Sequence, residues 1–370
     1  MIYIFYNNDP LAQDQGGGAE HFRGLYRAML KSSLDFRLVG ARLQHERVAP
    51  NVAYISESSN FLRFYMALWG WFWRNRKRFK DTDVFHFHRN YAAWPKLVLA
   101  PGRGRVLISY HNVTGRVLDG WLGRLARPLR ALMLMGERRV AKLADAIVCV
   151  SGRDRKELRR IVVHEPFERA LVIPAAFDGA LFNKEAARPP GAALARRILA
   201  VGRISHQKNM PLAIAVLEVL TALGHDFELT IAGDGEDSRT LVRRIAESPA
   251  RERVKWVGRV PHDRMPGTLA EHGILLLTSR YEASPTVVKE ALKAMRPVVS
   301  TDVGDVPDWL DEGVNGFVRG QDAASLAEGI IEARRLVEAG AYRPASRMDL
   351  LNEDAIMNRV VGLYRRLQAG

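Results

Sequence analysis

The second half of the chain opens with Arg197-Ile-Leu-Ala-Val-Gly-Arg-Ile-Ser-His-Gln-Lys-Asn209, a strand pattern followed by a polar loop. Its first five residues have the apolar pattern of a buried strand, and Gly202 frees the backbone where that strand ends. Further strand patterns lie at 227–232, 254–257, 274–278 and 298–300, with helical patterns between them. Apolar strands that alternate with helices predict a parallel sheet covered on both faces.

The first half shows the same alternation and is expected to form a domain of its own. Its strand patterns lie at 2–6, 36–39, 84–88, 106–110, 146–150 and 170–173, and a turn of three glycines, 16–18, precedes a helix. The segment 186–191 holds two prolines and a glycine, which is typical of a linker. We therefore predict an α/β fold with two doubly wound domains, 1–185 and 194–350, that face each other across a cleft, and a terminal helix within 351–370.

Composition excludes several classes of protein. The 370 residues are 47% hydrophobic and 26% charged, as in ordinary globular proteins. A single cysteine, Cys149, excludes a disulfide framework and a thiolate metal cluster. The longest apolar run, 64–73, is about half of the ~20 residues that a membrane-spanning helix needs, and the N-terminal run lacks the basic residues of a signal peptide. We expect a cytoplasmic protein that is soluble or peripheral to a membrane.

The net charge of +14 belongs almost entirely to the first half. Residues 1–185 hold 30 Lys and Arg against 17 Asp and Glu, whereas the remainder holds 25 against 24. This asymmetry favours a polyanionic partner, either a nucleic acid or an anionic membrane. The alternative is that the basic residues only raise solubility.

Two loops of the second half suit the diphosphate of a ligand. Arg203 and Lys208 follow the first strand there, and a planar guanidinium beside a compact ammonium suits two phosphate groups. Ser284 and Pro285 have the pattern of an N-cap and a first helical residue. The next two amides, of residues 286 and 287, would then lack intrahelical partners and favour a phosphate.

Two carboxylates flank that helix start, Glu282 in the loop and Glu290 inside the helix. Ionised carboxylates only accept hydrogen bonds, so they suit the hydroxyls of a sugar or a ribose. For Glu290 the alternative is an ion pair with Lys293 on a solvated helix face.

The spacing from Glu282 to Glu290 resembles that of the retaining glycosyltransferases of family 4, which have the GT-B fold. The resemblance covers nearly the whole chain, in family order, through the motifs at 16–20, 83–88, 109–112, 148–151, 202–209, 232–235 and 257–258. It implies two Rossmann-like domains, a last helix that returns to the first domain, and transfer of a sugar from a nucleotide-diphosphate donor with retention of configuration, with no metal ion or other cofactor. The family often has Glu-Gly-Phe where this chain has Glu282-Ala-Ser284.

The resemblance also implies roles for individual residues. Catalysis would fall to Arg203 and Lys208 at the diphosphate, Glu282 at the transferred sugar and His111 beside the reacting carbon. Glu290 would hold the ribose, and the loop after residue 258 would contact the base. The residues implied at the donor site are Gly17, Gly18, Gly202, Arg203, Lys208, Arg259, Val260, Glu282, Ser284, Pro285, Thr286, Val287 and Glu290.

The acceptor side is assigned to the first half. Glu20 and His21 follow the glycine turn, and they could face an acceptor or simply cap the helix. His86 and His88 alternate along one strand, but a metal site formed by them lacks an evident third ligand, so no metal site is predicted. The acceptor-side residues are Glu20, His21, His88, Arg89 and Asn112, with His86 beside them.

An aromatic segment at 61–80 predicts a helix by its i, i+3, i+4 spacing. Tryptophans followed by a basic cluster suit the interface of an anionic membrane, although the helix could simply pack on its own domain. The predicted docking residues are Trp69, Trp71, Trp73, Arg74, Arg76, Lys77, Arg78 and Lys80.

These observations predict a glycosyltransferase that acts on a lipid-linked or envelope glycan acceptor at the cytoplasmic face of the membrane. One alternative is a glycosyltransferase with a soluble small-molecule acceptor. A second is a nucleotide-sugar epimerase of GT-B type, which would need acid and base groups at the sugar carbon. Binding of nucleic acid is not expected, because no recognition helix or aromatic platform for single strands is evident.

Overall fold

The structure, a computed structural model, describes residues 1–9, 17–42, 49–111, 127–162, 170–182 and 188–370. The chain divides into two compact units, the first made of Met1–Ala175 with Asp354–Gly370 and the second of Ala176–Glu353. Each unit contains one parallel sheet with helices packed against it. The predicted α/β fold with two Rossmann-like domains is therefore confirmed, as is the return of the last helix to the first unit.

The first unit holds seven strands among its described residues. They are β1 (Ile2–Phe5), β2 (Phe36–Ala41), β3 (Val52–Ser56), β4 (Val84–Phe87), β5 (Arg105–Tyr110), β6 (Ala146–Cys149) and β7 (Ala170–Val172). Their order across the sheet is β3-β2-β1-β4-β5-β6-β7, and every pair is parallel. The helices that precede the crossover are α1 (Gly17–Lys31), α2 (Phe61–Asn75), α3 (Trp94–Leu99), α4 (Arg127–Leu143) and α5 (Gly152–Ile161).

The second unit holds a six-stranded parallel sheet of order β10-β9-β8-β11-β12-β13. Its strands are β8 (Arg197–Val201), β9 (Glu228–Ala232), β10 (Val254–Trp256), β11 (Ile274–Leu277), β12 (Val298–Thr301) and β13 (Gly316–Arg319). The helices are α6 (Met210–Ala222), α7 (Ser238–Ala246), α8 (Met265–Ala270), α9 (Thr286–Lys293), α10 (Val306–Trp309), α11 (Ala323–Glu338) and α12 (Glu353–Ala369), and almost all of α12 belongs to the first unit.

Burial on both faces explains why the strands read as continuous apolar runs. All four residues of β11 are buried, because Ile274 and Leu276 pack into one core cluster while Leu275 and Leu277 pack into another on the opposite face. Because the strands of each sheet are parallel, their carboxyl ends lie along one edge of that sheet. The loops that leave this edge carry the polar residues of the predicted donor site.

The domain boundary differs from the prediction of 185. Residues 176–182 belong to the second unit, because Phe177 and Phe182 are buried in the core cluster that also contains Val287 and Ala291. The first helix also differs from the prediction, since α1 begins at Gly17, inside the predicted glycine turn.

The last helix is anchored on the first sheet by polar contacts. The hydroxyl of Tyr364 lies 2.6 Å from Nδ1 of His86, and the guanidinium of Arg105 donates to the carbonyl of Gly370 at 2.9 Å. No helix in the described ranges combines the length and apolarity needed to cross a bilayer.

Candidate active site

Most of the donor residues predicted in the second half lie in loops at the carboxyl edge of the second sheet, and Thr286, Val287 and Glu290 lie in the helix α9 that follows one of these loops. Gly202 follows β8, Arg259 and Val260 follow β10, and Glu282 follows β11. Parallel strands place these loops at one edge of the sheet, which is where doubly wound folds bind ligands. The structure therefore brings the second-half residues of the prediction to a common edge.

Two glycines allow neighbouring loops of this edge to pack closely. Gly233, at φ +147°, lies so near the β8 loop that a Cβ there would stand 1.9 Å from the carbonyl oxygen of Gly202. Gly202 itself has φ +154°, and the side chain of Lys208 crosses it, with Cδ 3.1 Å from a Cβ built on the glycine. Alanine would therefore displace the backbone at Gly233 and the lysine stem at Gly202.

Lys208 and Glu282 form an ion pair at the centre of this edge. The ammonium Nζ lies 2.6 Å from Oε1 of Glu282, and the hydroxyl of Ser279 donates to the same oxygen at 2.7 Å. Thr278 donates its hydroxyl to the carbonyl of Lys208 at 3.0 Å, which fixes the loop against β11. Arg203 is exposed. A bound diphosphate could therefore contact Arg203 directly and would compete with Glu282 for the Lys208 ammonium.

The start of α9 differs from the predicted cap. The N-cap residue is Pro285, and the hydroxyl of Ser284 instead donates to Asp305 at 2.6 Å and accepts from the ammonium of Lys289. The prediction of Ser284 as N-cap is therefore wrong, because its hydroxyl is engaged by the carboxylate of Asp305, which follows β12, and by the ammonium of Lys289 inside α9. The amide of Val288 bonds to the carbonyl of Pro285 at 3.3 Å, so the amides of residues 286 and 287 precede the first intrahelical bond.

Two buried charged side chains of α9 have partners that the sequence did not indicate. Lys289 is fully buried and lies 3.3 Å from Asp305, and burial lowers the pKa of its ammonium below the usual value. Glu290 is also buried, and Nε2 of His262 lies 3.4 Å from its Oε1. The partner of Glu290 is thus His262 rather than the alternative, Lys293.

The histidines of the first unit meet at the carboxyl ends of β4 and β5. Nδ1 of His88 lies 2.8 Å from Nε2 of His111, and His21 of α1 packs its ring against both. Burial lowers the pKa of His88 and of His111 well below 6.5, so both rings are neutral near pH 7. His86 was predicted beside them, but it lies inside the fold between Tyr364 and the hydroxyl of Ser109, and burial lowers its pKa to about 3.

A cavity of about 460 Å³ opens beside this histidine pair. Its walls are largely aromatic and aliphatic, with Tyr91 and Trp94 among them, and Arg89, Glu137 and the Tyr110 hydroxyl add polar groups. That hydroxyl is buried and has no hydrogen-bond partner within the described ranges. Burial first, and the nearby carboxylate of Glu137 second, raise the pKa of Tyr110 well above 10. The cavity can therefore enclose an apolar ligand that carries a few hydroxyls.

Four other predicted residues belong to the first half of the chain. Asn112 lies outside the described residues. Gly17 and Gly18 form the first turn of α1. Glu20 is buried, and its carboxylate pairs with Arg23 and, at 3.4 Å, with Arg27 of the same helix.

The predicted aromatic helix is α2, and it has an exposed apolar stripe. Phe64, Leu68 and Phe72 are buried in the core, whereas Leu62, Met66 and Trp73 are 62%, 63% and 57% exposed. Trp69 is half-buried between these two faces. The guanidinium of Arg76 lies 3.6 Å above the Trp73 ring, and Arg74, Lys77, Arg78 and Lys80 are exposed.

Trp71 does not belong to that stripe. Its ring packs edge-on against Tyr3 and Phe5 and lies 5.8 Å from the Phe79 ring, all on the core side of α2. The prediction that Trp71 takes part in membrane docking is therefore wrong, because Trp71 lies on the opposite side of the helix from Trp69 and Trp73.

Each half of the chain matches a known protein family. Residues 188–338 match the family described as "Glycosyl transferases group 1", and residues 15–179 match "Glycosyltransferase Family 4". The chain belongs to the family 4 glycosyltransferases. The enzyme is 27% identical to alpha-D-kanosaminyltransferase of Streptomyces kanamyceticus, over 96% of this chain and 98% of the relative. The predicted glycosyltransferase activity is thereby confirmed at the level of the enzyme class.

Solved structures share the fold of this glycosyltransferase. Sucrose-phosphate synthase from Thermosynechococcus elongatus superposes with a TM-score of 0.81 at 20% identity, covering 100% of this chain and 99% of the synthase. The Anabaena protein HepE in complex with UDP-glucose superposes with a TM-score of 0.69 at 16% identity, covering 99% and 98%. At such identities the likeness concerns the fold.

The sequence did not indicate several residues of the two sites. Asp305 follows β12, so the carboxyl-edge logic that selected Glu282 would also have selected it. His262 follows the predicted base-contact loop and could have been found in the same way. Tyr91, Trp94 and Glu137 carry no local pattern, because only tertiary packing of the 90–93 turn against α4 and β5 places them around one cavity.

Proposed function

We propose that this glycosyltransferase moves a sugar from a nucleotide-diphosphate donor to a lipid-linked or envelope glycan acceptor, with retention of configuration and without a metal ion. We further propose that it works as a peripheral protein on the cytoplasmic face of the membrane. The observation that carries the donor assignment is the convergence of Arg203, Lys208 and the first amides of α9 at one sheet edge. The UDP-glucose in the HepE structure supports a nucleotide sugar as donor.

These groups supply what departure of a diphosphate requires. Negative charge develops on the leaving oxygen as the glycosidic bond breaks, and fixed positive groups stabilise that charge without reorganising. Before a diphosphate binds, Glu282 and the packing of the stem across Gly202 already hold the Lys208 ammonium at this edge, so little reorganisation is needed for it to meet the ligand. Two cationic side chains and a helix N-terminus supply the positive charge that a divalent ion supplies in other transferases.

Retention fits a mechanism on one face of the sugar. The leaving diphosphate oxygen would take the proton of the acceptor hydroxyl as the new bond forms, so no carboxylate pair of the glycosidase kind is needed. Glu282 would accept a hydroxyl of the transferred sugar through the oxygen that Lys208 and Ser279 do not engage. Glu290 would accept the ribose hydroxyls, and His111 would lie on the acceptor side.

A membrane-linked acceptor is supported by α2. Leu62, Met66 and Trp73 form an exposed apolar stripe that continues into four exposed basic residues, 74, 77, 78 and 80. Apolar side chains would enter the headgroup region, while each basic residue near an anionic surface adds about 1 kcal/mol. The excess positive charge of residues 1–185 acts in the same direction.

Co-sedimentation with vesicles tests this part of the proposal. We expect wild-type protein to bind vesicles of phosphatidylglycerol and phosphatidylcholine at low salt, and to keep part of that binding at about 0.5 M salt, where the Debye length is only a few Å. Replacing residues 74, 76, 77, 78 and 80 with Gln should remove the salt-sensitive part. Trp73→Ser should remove the vesicle binding that persists at high salt.

Trp71→Phe is the matched control, because it changes a tryptophan of the same helix on the core side. It should leave both parts of the vesicle binding unchanged. Wild-type protein that stays in the supernatant with anionic vesicles at low salt would contradict membrane docking.

A soluble small-molecule acceptor is the second candidate, and the cavity beside His88 and His111 favours it. A volume of about 460 Å³ suits a compact molecule with an apolar side and a few hydroxyls. Donor hydrolysis by a panel of nucleotide sugars identifies the donor without any acceptor. Adding soluble acceptors and lipid-linked acceptors to that donor then separates the two candidates.

A further inference from the structure

Three histidines of the first unit come together from distant parts of the sequence. His21 lies on α1, His88 follows β4 and His111 follows β5. One ring nitrogen of each lies within 4.8 Å of a ring nitrogen of both others. His21 and His88 are buried, and His111 is half-buried. The sequence analysis considered a metal site formed by His86 and His88 and found no third ligand. The structure instead groups His88 with His21 and His111.

The spacing of the rings is that of a three-histidine metal site. The centroid of His111 lies 5.2 Å from that of His88 and 5.4 Å from that of His21, and the remaining pair is 5.9 Å apart. Three imidazoles on one tetrahedral ion, each bound at about 2.0–2.1 Å, place their ring centroids about 5 Å apart. Nδ1 of His88 and Nε2 of His111 are 2.8 Å apart, and they need to separate by only about 0.5 Å to share such an ion.

We propose that His21, His88 and His111 bind a divalent transition-metal ion of the zinc class, and that this ion inhibits the enzyme. Neutral imidazole prefers zinc, copper and nickel, whereas magnesium prefers oxygen ligands. The second nitrogen of His88, Nε2, is buried without a hydrogen-bond partner in the described ranges, so binding an ion through Nδ1 would break no hydrogen bond at Nε2. The ion supplies positive charge and occupies imidazole nitrogens, and it takes part in no step of the transfer.

The neighbours of the cluster define the ligand set. His86 stacks 4.0 Å from the His88 ring, but both of its nitrogens already contact Tyr364 and Ser109. It is therefore a support for the site rather than a ligand. Arg89 is close enough for its charge to act on His88 and His111, and it opposes a second positive charge. We therefore expect reversible binding that is weaker than that of a structural zinc site.

Inhibition follows from the position of two ligands. His88 and His111 line the 460 Å³ cavity, so an ion bound between them would stand at the wall of the pocket that the second candidate function assigns to a soluble acceptor. This consequence rests on that second candidate for the proposed function, whereas metal binding rests on the histidine geometry alone. The two can fail separately.

Calorimetric titration of the full chain with Zn²⁺ tests the binding. We expect one Zn²⁺ per chain, with an affinity that falls at least tenfold in His21→Asn and in His88→Asn and stays unchanged in His225→Asn, which removes a histidine of the second unit. Mg²⁺ should give no heat. Thermal melting of each metal-free variant shows whether it is folded. Absence of Zn²⁺ binding by the wild type up to about 100 µM, or wild-type affinity in folded His21 and His88 variants, overturns the proposal.

A second measurement keeps the proposal testable if those variants do not fold. The electron paramagnetic resonance spectrum of wild-type protein with one equivalent of Cu²⁺ should show hyperfine splitting from nitrogen ligands, and Zn²⁺ should compete for the site. A spectrum without nitrogen splitting overturns the proposal. If Zn²⁺ binds at the histidines but sugar transfer is unaffected, the metal site stands and the assignment of the cavity to the acceptor is wrong.

Discussion

Replacing Lys208 with Met tests the electrostatic account of the donor site. The ammonium lies 2.6 Å from the carboxylate of Glu282, and the two side chains are 19% and 9% exposed. Methionine retains most of the aliphatic stem that crosses Gly202 and removes the ammonium, with its charge and its hydrogen-bond donors. The substitution therefore separates the electrostatic contribution of the lysine from its packing.

The structure sets the size of two separate effects. A hydrogen bond to a charged group contributes about 1.5–3 kcal/mol, and the partial exposure of this pair places it at the lower end. Ser279 remains as a donor to Glu282 after the change, which limits the loss further. We expect the second unit to lose about 1–2 kcal/mol of stability. Loss of one fixed donor at a developing charge should lower kcat by about 10²–10³-fold, with a smaller change in KM.

A double-mutant cycle with Glu282→Gln measures the stability effect. Hydrogen exchange of peptides from β8 and β11 reports the opening free energy of the second unit alone, which avoids assuming two-state unfolding of the whole chain. Steady-state kinetics give kcat. Arg244→Met is the matched control, because Arg244 forms a bidentate pair with Glu218 in the same unit, away from the carboxyl edge. It should lower stability and leave kcat unchanged.

Two results would refute this reasoning. Additive effects of the two substitutions, within about 0.3 kcal/mol, would show that Lys208 and Glu282 do not stabilise each other. A kcat within about threefold of wild type for Lys208→Met would show that the ammonium does not act on the leaving diphosphate, whatever its effect on stability.

Three further predictions concern the donor, metal dependence and pH. Glu290→Gln should raise the donor KM with little change in kcat, because ribose hydroxyls are held equally in ground and transition states; a fall in kcat alone would contradict this role. Transfer should persist in EDTA, and loss of activity that Mn²⁺ restores would show a metal requirement. Lys96→Met should stabilise the protein at pH 7 by up to about 3 kcal/mol, because burial lowers the lysine pKa from 10.5 to about 8. Between about pH 8 and pH 10.5 the unfolded chain keeps a proton on Lys96 that the folded chain has lost, so the stability of the wild type should rise with pH. The stability difference between wild type and variant, measured by urea unfolding, should therefore shrink over this range.

The sequence was most informative where local chemistry and sheet geometry agree. Residues such as Arg203 and Glu282 lie in loops that follow apolar runs, and the carboxyl ends of parallel strands meet at one edge. Their common location could therefore be predicted without any long-range information. The strands β3 and β13 were missed for the opposite reason, since β3 is half-buried throughout at the edge of its sheet and β13 begins at a glycine.

Side-chain partners that lie far apart in the chain could not be predicted. Ser284 fits an N-cap by every local rule, but Asp305, 21 residues later, accepts its hydroxyl. The domain boundary failed in the same way, because Phe177 and Phe182 follow the last strand of the first unit and pack into the second. The sequence did not indicate His21 as a metal ligand, since the other two histidines of the cluster follow two different strands of the fold.

The error at Trp71, by contrast, could have been avoided from the sequence. Successive residues of an α-helix are rotated by about 100°, so residues two apart lie on nearly opposite sides and residues four apart lie on the same side. Trp69 and Trp73 can therefore share a face, whereas Trp71 cannot join them. With Phe64, Leu68 and Phe72 as the core positions, the same rotation places Trp71 at the edge of the buried face and Leu62, Met66 and Trp73 outside. The helical period alone thus distinguishes a continuous outer stripe from a helix that is apolar on every side. With a single stripe, the basic residues that follow Trp73 can contact the same membrane surface as the stripe.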